Sequence, residues 1–196
     1  MNGTGKQQDT VQTEVLVVGG GLAGMTLACA LAGAGVATVA VDAAPRDDRL
    51  DEGYDGRASA IAWGSAQVFR GIGLWPDLEP DAGRILDIRV ADGTVPDGPS
   101  MLFLHYDHRE VGDRPFGYMI ENRALRRALF RHADALPALR HLAPARLVRL
   151  ERGTAGIEAE LADGTRIAAR LAVGADGRAS PVRKSAGIGV SRLPYD

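Results

Sequence analysis

Residues 14–42 read EVLVVGGGLAGMTLACALAGAGVATVAVD. Val15 to Val18 form a short apolar run, which suits a parallel strand covered on both faces. Gly19, Gly21 and Gly24 follow in the spacing G-x-G-x-x-G. The first glycine permits a tight turn, the second lets a pyrophosphate approach bare backbone, and the third lets a helix pack on the strand. A helix is expected from Leu22 to Leu31. It is apolar nearly all round and so buried, with its N–H groups and positive dipole end facing a diphosphate. Gly33 and Gly35 suit its C-terminal end. Val36 to Val41 reads as a second strand, and Asp42 closes it where an acid would meet ribose hydroxyls. The stretch is a βαβ unit for a dinucleotide. It fixes the expected fold class as α/β, with a Rossmann-like domain.

The 196 residues suffice for one sizeable domain, and a hydrophobic fraction of 45% supports a core. The net charge of −2, with Lys and Arg scattered, gives no footprint for nucleic acid. The single cysteine, Cys29, falls inside the apolar helix and reads as a small core residue. Residues 1–12 are polar, lack a signal-peptide core and are expected to be a flexible tail. Glycines interrupt the apolar run of 15–41, so it is not a membrane span.

Beyond Asp42, a simple dehydrogenase half-domain would move quickly into a second helix and a third strand. Residues 43–57 instead read as a charged loop. A helix is expected near Ser65–Arg70, closed by Gly71, with Leu74 and Trp75 packing back on it. Residues 85–93 and 101–106 form a candidate antiparallel pair, and 118–120 a short strand. A helix over 122–133 is capped by Asn122 and presents Leu125, Leu129 and Ala133 on one face. Residues 145–175 read as a β-meander with a hairpin turn at Asp163-Gly164. Ser180 and Pro181 open a short helix.

A second glycine site, V-G-A-D-G-R-A-S at 173–180, ends a strand and enters a helix. Asp176 thus falls where ligands sit in open α/β sheets. Arg123 lies in the first turn of the 122–133 helix, where a cation opposes the dipole; either something anionic, such as a bound pyrophosphate, offsets it or the side chain is simply solvated. Arg57 is a similar candidate. His105, Asp107 and His108 lack an evident fourth metal ligand. The serines occupy no nucleophile elbow, and Trp63 and Trp75 read as core.

Four separated motifs, G-G-G-L-A-G-M-T-L-A, D-G-R-A-S-A-I-A-W-G-S with G-I-G-L-W, I-E-N-R-A-L-R-R-A-L and V-G-A-D-G-R-A-S-P-V-R, resemble the flavin monooxygenases of the p-hydroxybenzoate hydroxylase class. Within that class the chain is most similar to the ubiquinone-biosynthesis hydroxylases. The resemblance covers nearly all of the chain from Glu14. It implies that Gly19, Gly21, Leu22, Ala23 and Gly24 hold the FAD pyrophosphate and Asp42 the adenosine ribose. It implies that Arg57 and Arg123 contact FAD, and that Asp176 and Gly177 serve FAD and the nicotinamide donor. NAD(P)H would reduce FAD, and oxygen would form a flavin hydroperoxide that attacks an electron-rich ring. No metal is implied, and no residue is assigned a catalytic role.

The resemblance further implies a small aromatic or polyprenylated phenol substrate, and a cytoplasmic protein peripheral to the inner membrane. Contact with other ubiquinone-biosynthesis proteins is part of the same implication. The family's Gly-Asp motif followed by Ala-Ala-His is absent. Residues 13–196 are therefore expected to form a truncated FAD-binding domain, with inserted antiparallel strands that begin a substrate-domain sheet. Two other readings stay open: an NAD-dependent dehydrogenase, and a non-catalytic nucleotide-binding remnant.

Overall fold

A computed structural model describes residues 10–46, 56–94 and 96–193. In chain order the elements are β1 (Val11–Val18), α1 (Leu22–Gly33), β2 (Thr38–Val41), β3 (Ala58–Ala62), α2 (Trp63–Gly71) and α3 (Trp75–Leu78). Next come β4 (Gly83–Ile85), β5 (Asp87–Thr94), β6 (Gly98–Asp107), β7 (Gly117–Glu121) and α4 (Asn122–Asp134). The chain finishes with β8 (Leu139–Leu142), β9 (Leu147–Gly153), β10 (Gly156–Leu161), β11 (Arg166–Gly174) and α5 (Pro181–Ser185). Two compact units divide it: residues 1–52 with 129–196, and residues 53–128. α4 crosses the division.

The first unit is a six-stranded sheet in the order β8-β2-β1-β11-β10-β9. β8, β2, β1 and β11 run parallel, and β10 and β9 continue antiparallel. β1 holds the centre. Val15, Leu16, Val17 and Val18 are all buried, as a strand covered on both faces requires. β2 is buried along its whole length. Leu16, Val18, Val39, Val41, Ile157, Ala159, Leu161, Ile167 and Ala169 form one apolar cluster. α1 ends in a Schellman motif. Gly35 takes a left-handed φ of +83°, its N–H donates to the Ala32 carbonyl, and the Val36 N–H reaches back to Leu31.

Several boundaries differ from the sequence expectation. β1 begins at Val11 rather than Val15, because Val11 to Thr13 pair with Ile167 to Ala169. α1 runs through Gly33, and β2 starts at Thr38. The third parallel strand that the sequence withheld does exist. It is β8, reached only after the second unit and α4, and it pairs with β2 from Thr38↔Leu139 to Val41↔Leu142. Within the expected meander, residues 166–174 form one continuous strand. β11 has two different neighbours, antiparallel β10 and parallel β1, and so must run the full length. Of the charged loop expected over 43–57, residues 47–55 lie outside the described residues.

The second unit contains a three-stranded antiparallel sheet, β3-β7-β4, and a two-stranded ribbon, β5-β6. The expected helix near Ser65 is α2, but β3 precedes it directly, a strand that its alanines conceal. The expected strand over 85–93 divides in two: β4 pairs with β7, and β5 pairs with β6. Arg70 sits among aromatic rings, its guanidinium carbon 4.0 Å from the Trp75 ring centre and 5.0 Å from that of Trp63. Trp75 is buried and Trp63 half-buried. Asn122 is the first helical residue of α4 rather than its cap, and its side-chain oxygen accepts from the Ser59 hydroxyl.

Candidate functional site

β1 is the pivot of the parallel sheet, with β2 on one side and β11 on the other. The chain leaves β1 through Gly19–Gly21 into α1, and leaves β11 through Ala175–Gly177 towards α5. Such a divergence at the carboxyl ends of strands leaves a crevice for ligands. The Gly19 N–H donates to the Val41 carbonyl at 2.8 Å, and the Ala175 N–H to that of Val18 at 2.7 Å, which ties both turns to the sheet. Between them lies a cleft of about 430 Å³, whose lining includes Gly19, Gly21, Asp42, Arg146, Asp176 and Gly177.

The glycines answer to different demands. Gly19 has φ +110°, and a Cβ there would lie 2.2 Å from the Ala175 carbonyl oxygen. At Gly24 a Cβ would lie 1.8 Å from the Gly19 oxygen. At Gly20, which the motif leaves free, it would lie 2.8 Å from the Asp42 side chain and 3.0 Å from His141 Nε2. Gly21 is unlike these three. Its φ of −73° suits any residue, and nothing in the chain comes within 4 Å of a Cβ built there. Packing within the chain therefore does not explain its lack of a side chain.

The N-terminus of α1 has no side-chain cap and no acid in its first turn. Its first helical hydrogen bond runs from the Met25 N–H to the Gly21 carbonyl. The N–H groups of Leu22, Ala23 and Gly24 therefore precede the helical ladder, and an anion is their natural acceptor. Asp42 is 6% exposed, and its Oδ1 accepts from the Ala44 N–H at 2.9 Å. Its own N–H donates to Leu142, and its carbonyl accepts from Ala145, which clamps the acid between the ends of β2 and β8. Asp176 accepts at Oδ2 from the Val182 N–H at 3.0 Å, while its buried Oδ1 has no hydrogen-bond partner among the described residues. Open backbone at Gly21, uncapped amides and carboxylates on the wall together fit a dinucleotide pyrophosphate with its ribose.

The structure brings Gly19, Gly21, Leu22, Ala23, Gly24, Asp42, Asp176 and Gly177 together at one end of the first unit. Arg57 and Arg123 belong to the second unit. Arg57 is exposed, and its carbonyl accepts from the Asn122 N–H. Arg123 donates from Nε to Glu121 at 2.5 Å, so this carboxylate supplies the anion that its place on the helix calls for. Sequence reasoning missed Gly20, a free position of the motif. It also missed the 145–147 segment, because β8 before it is short and carries Arg140 and His141. His105 pairs with Asp87 at 2.7 Å, and His108 lies 3.3 Å from Asp107, so the H-x-D-H run divides between two carboxylates. Among the described residues no group of three or more such side chains could hold a metal.

Ubiquinone hydroxylase UbiL of Rhodospirillum rubrum is 51% identical over 93% of this chain and 41% of its own length. The 3-demethoxyubiquinol 3-hydroxylase of Escherichia coli is 35% identical over 93% of this chain and 46% of its own length. The chain thus spans a little under half the length of these curated relatives. Among solved structures, p-nitrophenol 4-monooxygenase PnpA from Pseudomonas putida shares the fold. Its TM-score is 0.72 at 20% identity, over 91% of this chain and 44% of that one. A family profile described as FAD binding domain matches residues 12–193, the glycine cleft included, and the chain belongs to that family.

Proposed function

We propose that this chain supplies the FAD-binding part of an NAD(P)H-dependent aromatic hydroxylase acting on a ubiquinone precursor. The observation that carries the reading is Gly21, an ordinary backbone position kept bare beside the uncapped end of α1. The N–H groups of Leu22, Ala23 and Gly24 would donate to the pyrophosphate, and Asp42 would accept from ribose hydroxyls. The unpartnered Oδ1 of Asp176 and the bare backbone of Gly177 would border the cofactor from the β11 side. Arg57 and Arg123 are assigned to FAD contact on the family resemblance alone. When bound, FAD supplies the redox and oxygen chemistry.

The names of the 51% and 35% identical relatives support the substrate class, a phenolic ubiquinone precursor with oxygen as co-substrate. A polyprenyl tail on that ring would place the work at a membrane surface, alongside other ubiquinone-biosynthesis proteins. No helix among the described residues is long and apolar enough to cross a membrane. The test is NAD(P)H oxidation by the FAD-loaded protein, with and without a short-chain polyprenyl phenol. Phenol-stimulated oxidation with a hydroxylated product is expected. FAD-independent oxidation of a secondary alcohol with NAD would replace this reading with a dehydrogenase.

A further inference from the structure

The cleft has an arginine that neither the motifs nor the family reading uses. Arg146 lines it together with Ala145 and Leu147. The Arg146 backbone is fixed, since its carbonyl accepts from the Ala162 N–H at 2.8 Å. Its side chain is exposed, and among the described residues it makes no hydrogen bond or ion pair. The other charges on the cleft wall, Asp42 and Asp176, are both acidic. An unengaged guanidinium, the one basic side chain among the described residues that line the cleft, is thus held at its rim.

Strand order says what Arg146 faces. A diphosphate held at the N-terminus of α1 would lie over β1, and a ribose held by Asp42 would lie over β2. The next strand outward is β8. A dinucleotide laid along that direction brings its base to the chain just beyond β8, which is residues 143–147. Ala145 and Leu147 offer apolar contact there. A planar guanidinium stacks on a heteroaromatic ring through both dispersion and cation–π attraction. Resting on the FAD reading above, we infer that Arg146 stacks on the adenine ring of the bound cofactor and so favours a dinucleotide over a mononucleotide flavin.

The experiment titrates the apo-protein with FAD, FMN and ADP in three forms: wild type, Arg146→Ala and Arg146→Lys. Flavin fluorescence reads the first two ligands, competition reads ADP, and circular dichroism confirms the fold. Stacking of this kind is worth about a tenfold change in affinity. Arg146→Ala is expected to weaken FAD and ADP by that factor and to leave FMN unchanged. Lysine keeps the charge but not the plane, so Arg146→Lys is expected to remain weak. Wild-type affinity for FAD in Arg146→Ala overturns the inference while leaving the FAD reading intact. Full rescue by lysine overturns stacking, because charge alone then suffices. Equal losses for FMN and FAD overturn the adenine assignment. A wild-type chain that binds neither FAD nor ADP overturns the FAD reading and this inference with it.

Discussion

Gly21 and Gly24 occupy the same motif for opposite reasons, and substitution separates them. A side chain at Gly24 meets the Gly19 carbonyl oxygen at 1.8 Å, a backbone atom that cannot move aside. Gly24→Val is expected to cost several kcal/mol, roughly 3 or more, and to lower the melting temperature sharply. Gly21→Val meets nothing in the chain, so its melting temperature in the absence of ligand is expected to stay within a few degrees of wild type. Cys29 is fully buried, and burial pushes its thiol up to about 11. It is expected to resist iodoacetamide at pH 8 and to react once the chain is unfolded in urea. A pKa raised by folding means stability is retained below the ordinary thiol value of 9.0 and falls as pH rises from there towards 11. A melting temperature that rises over that interval would count against the burial.

The elements differ in how well they are held. β1, β2 and β11 lie inside the six-stranded sheet, and Ile167 at its core is fully buried. Ile167→Ala is expected to cost about 2–5 kcal/mol in urea unfolding. The β5-β6 ribbon is a separate two-stranded sheet with apolar side chains open to solvent, Met101 at 94% and Leu102 at 85% exposure. Isolated two-stranded sheets are marginal in water. Its amides are therefore expected to exchange with deuterium well before those of β1, and Leu102→Lys is expected to leave the melting temperature unchanged while reducing dye binding to exposed apolar surface. Slow exchange throughout 87–107 would contradict this.

Legibility in the sequence follows the same line. β1, α1 and α4 were readable because an apolar run or a helical stripe announces them. β3 and β8 were not, since Ala58–Ala62 has little side chain to pattern and Leu139–Leu142 owes its place to pairing with β2. Arg146 was hidden with β8, because only the strand order brings it to the cleft.

For the whole molecule, the chain runs β1-α1-β2, makes the second unit of antiparallel strands, and only then completes its parallel sheet with β8 and β11. That detour is why a local pattern gave the dinucleotide site while the sheet enclosing it had to come from the structure. Matching over residues 12–193 extends the family across both units. On the proposed reading, the cleft at the end of β1 exists for FAD, and Gly21 is bare for the cofactor and not for the fold. The most direct test is to load wild type and Gly21→Val with FAD, remove free flavin, and record the visible spectrum and the melting curve of each. A yellow wild type whose melting temperature rises with FAD is expected, together with a folded, colourless Gly21→Val that does not respond to it. Equal retention of FAD by the two proteins, or a wild type that stays colourless, would contradict it.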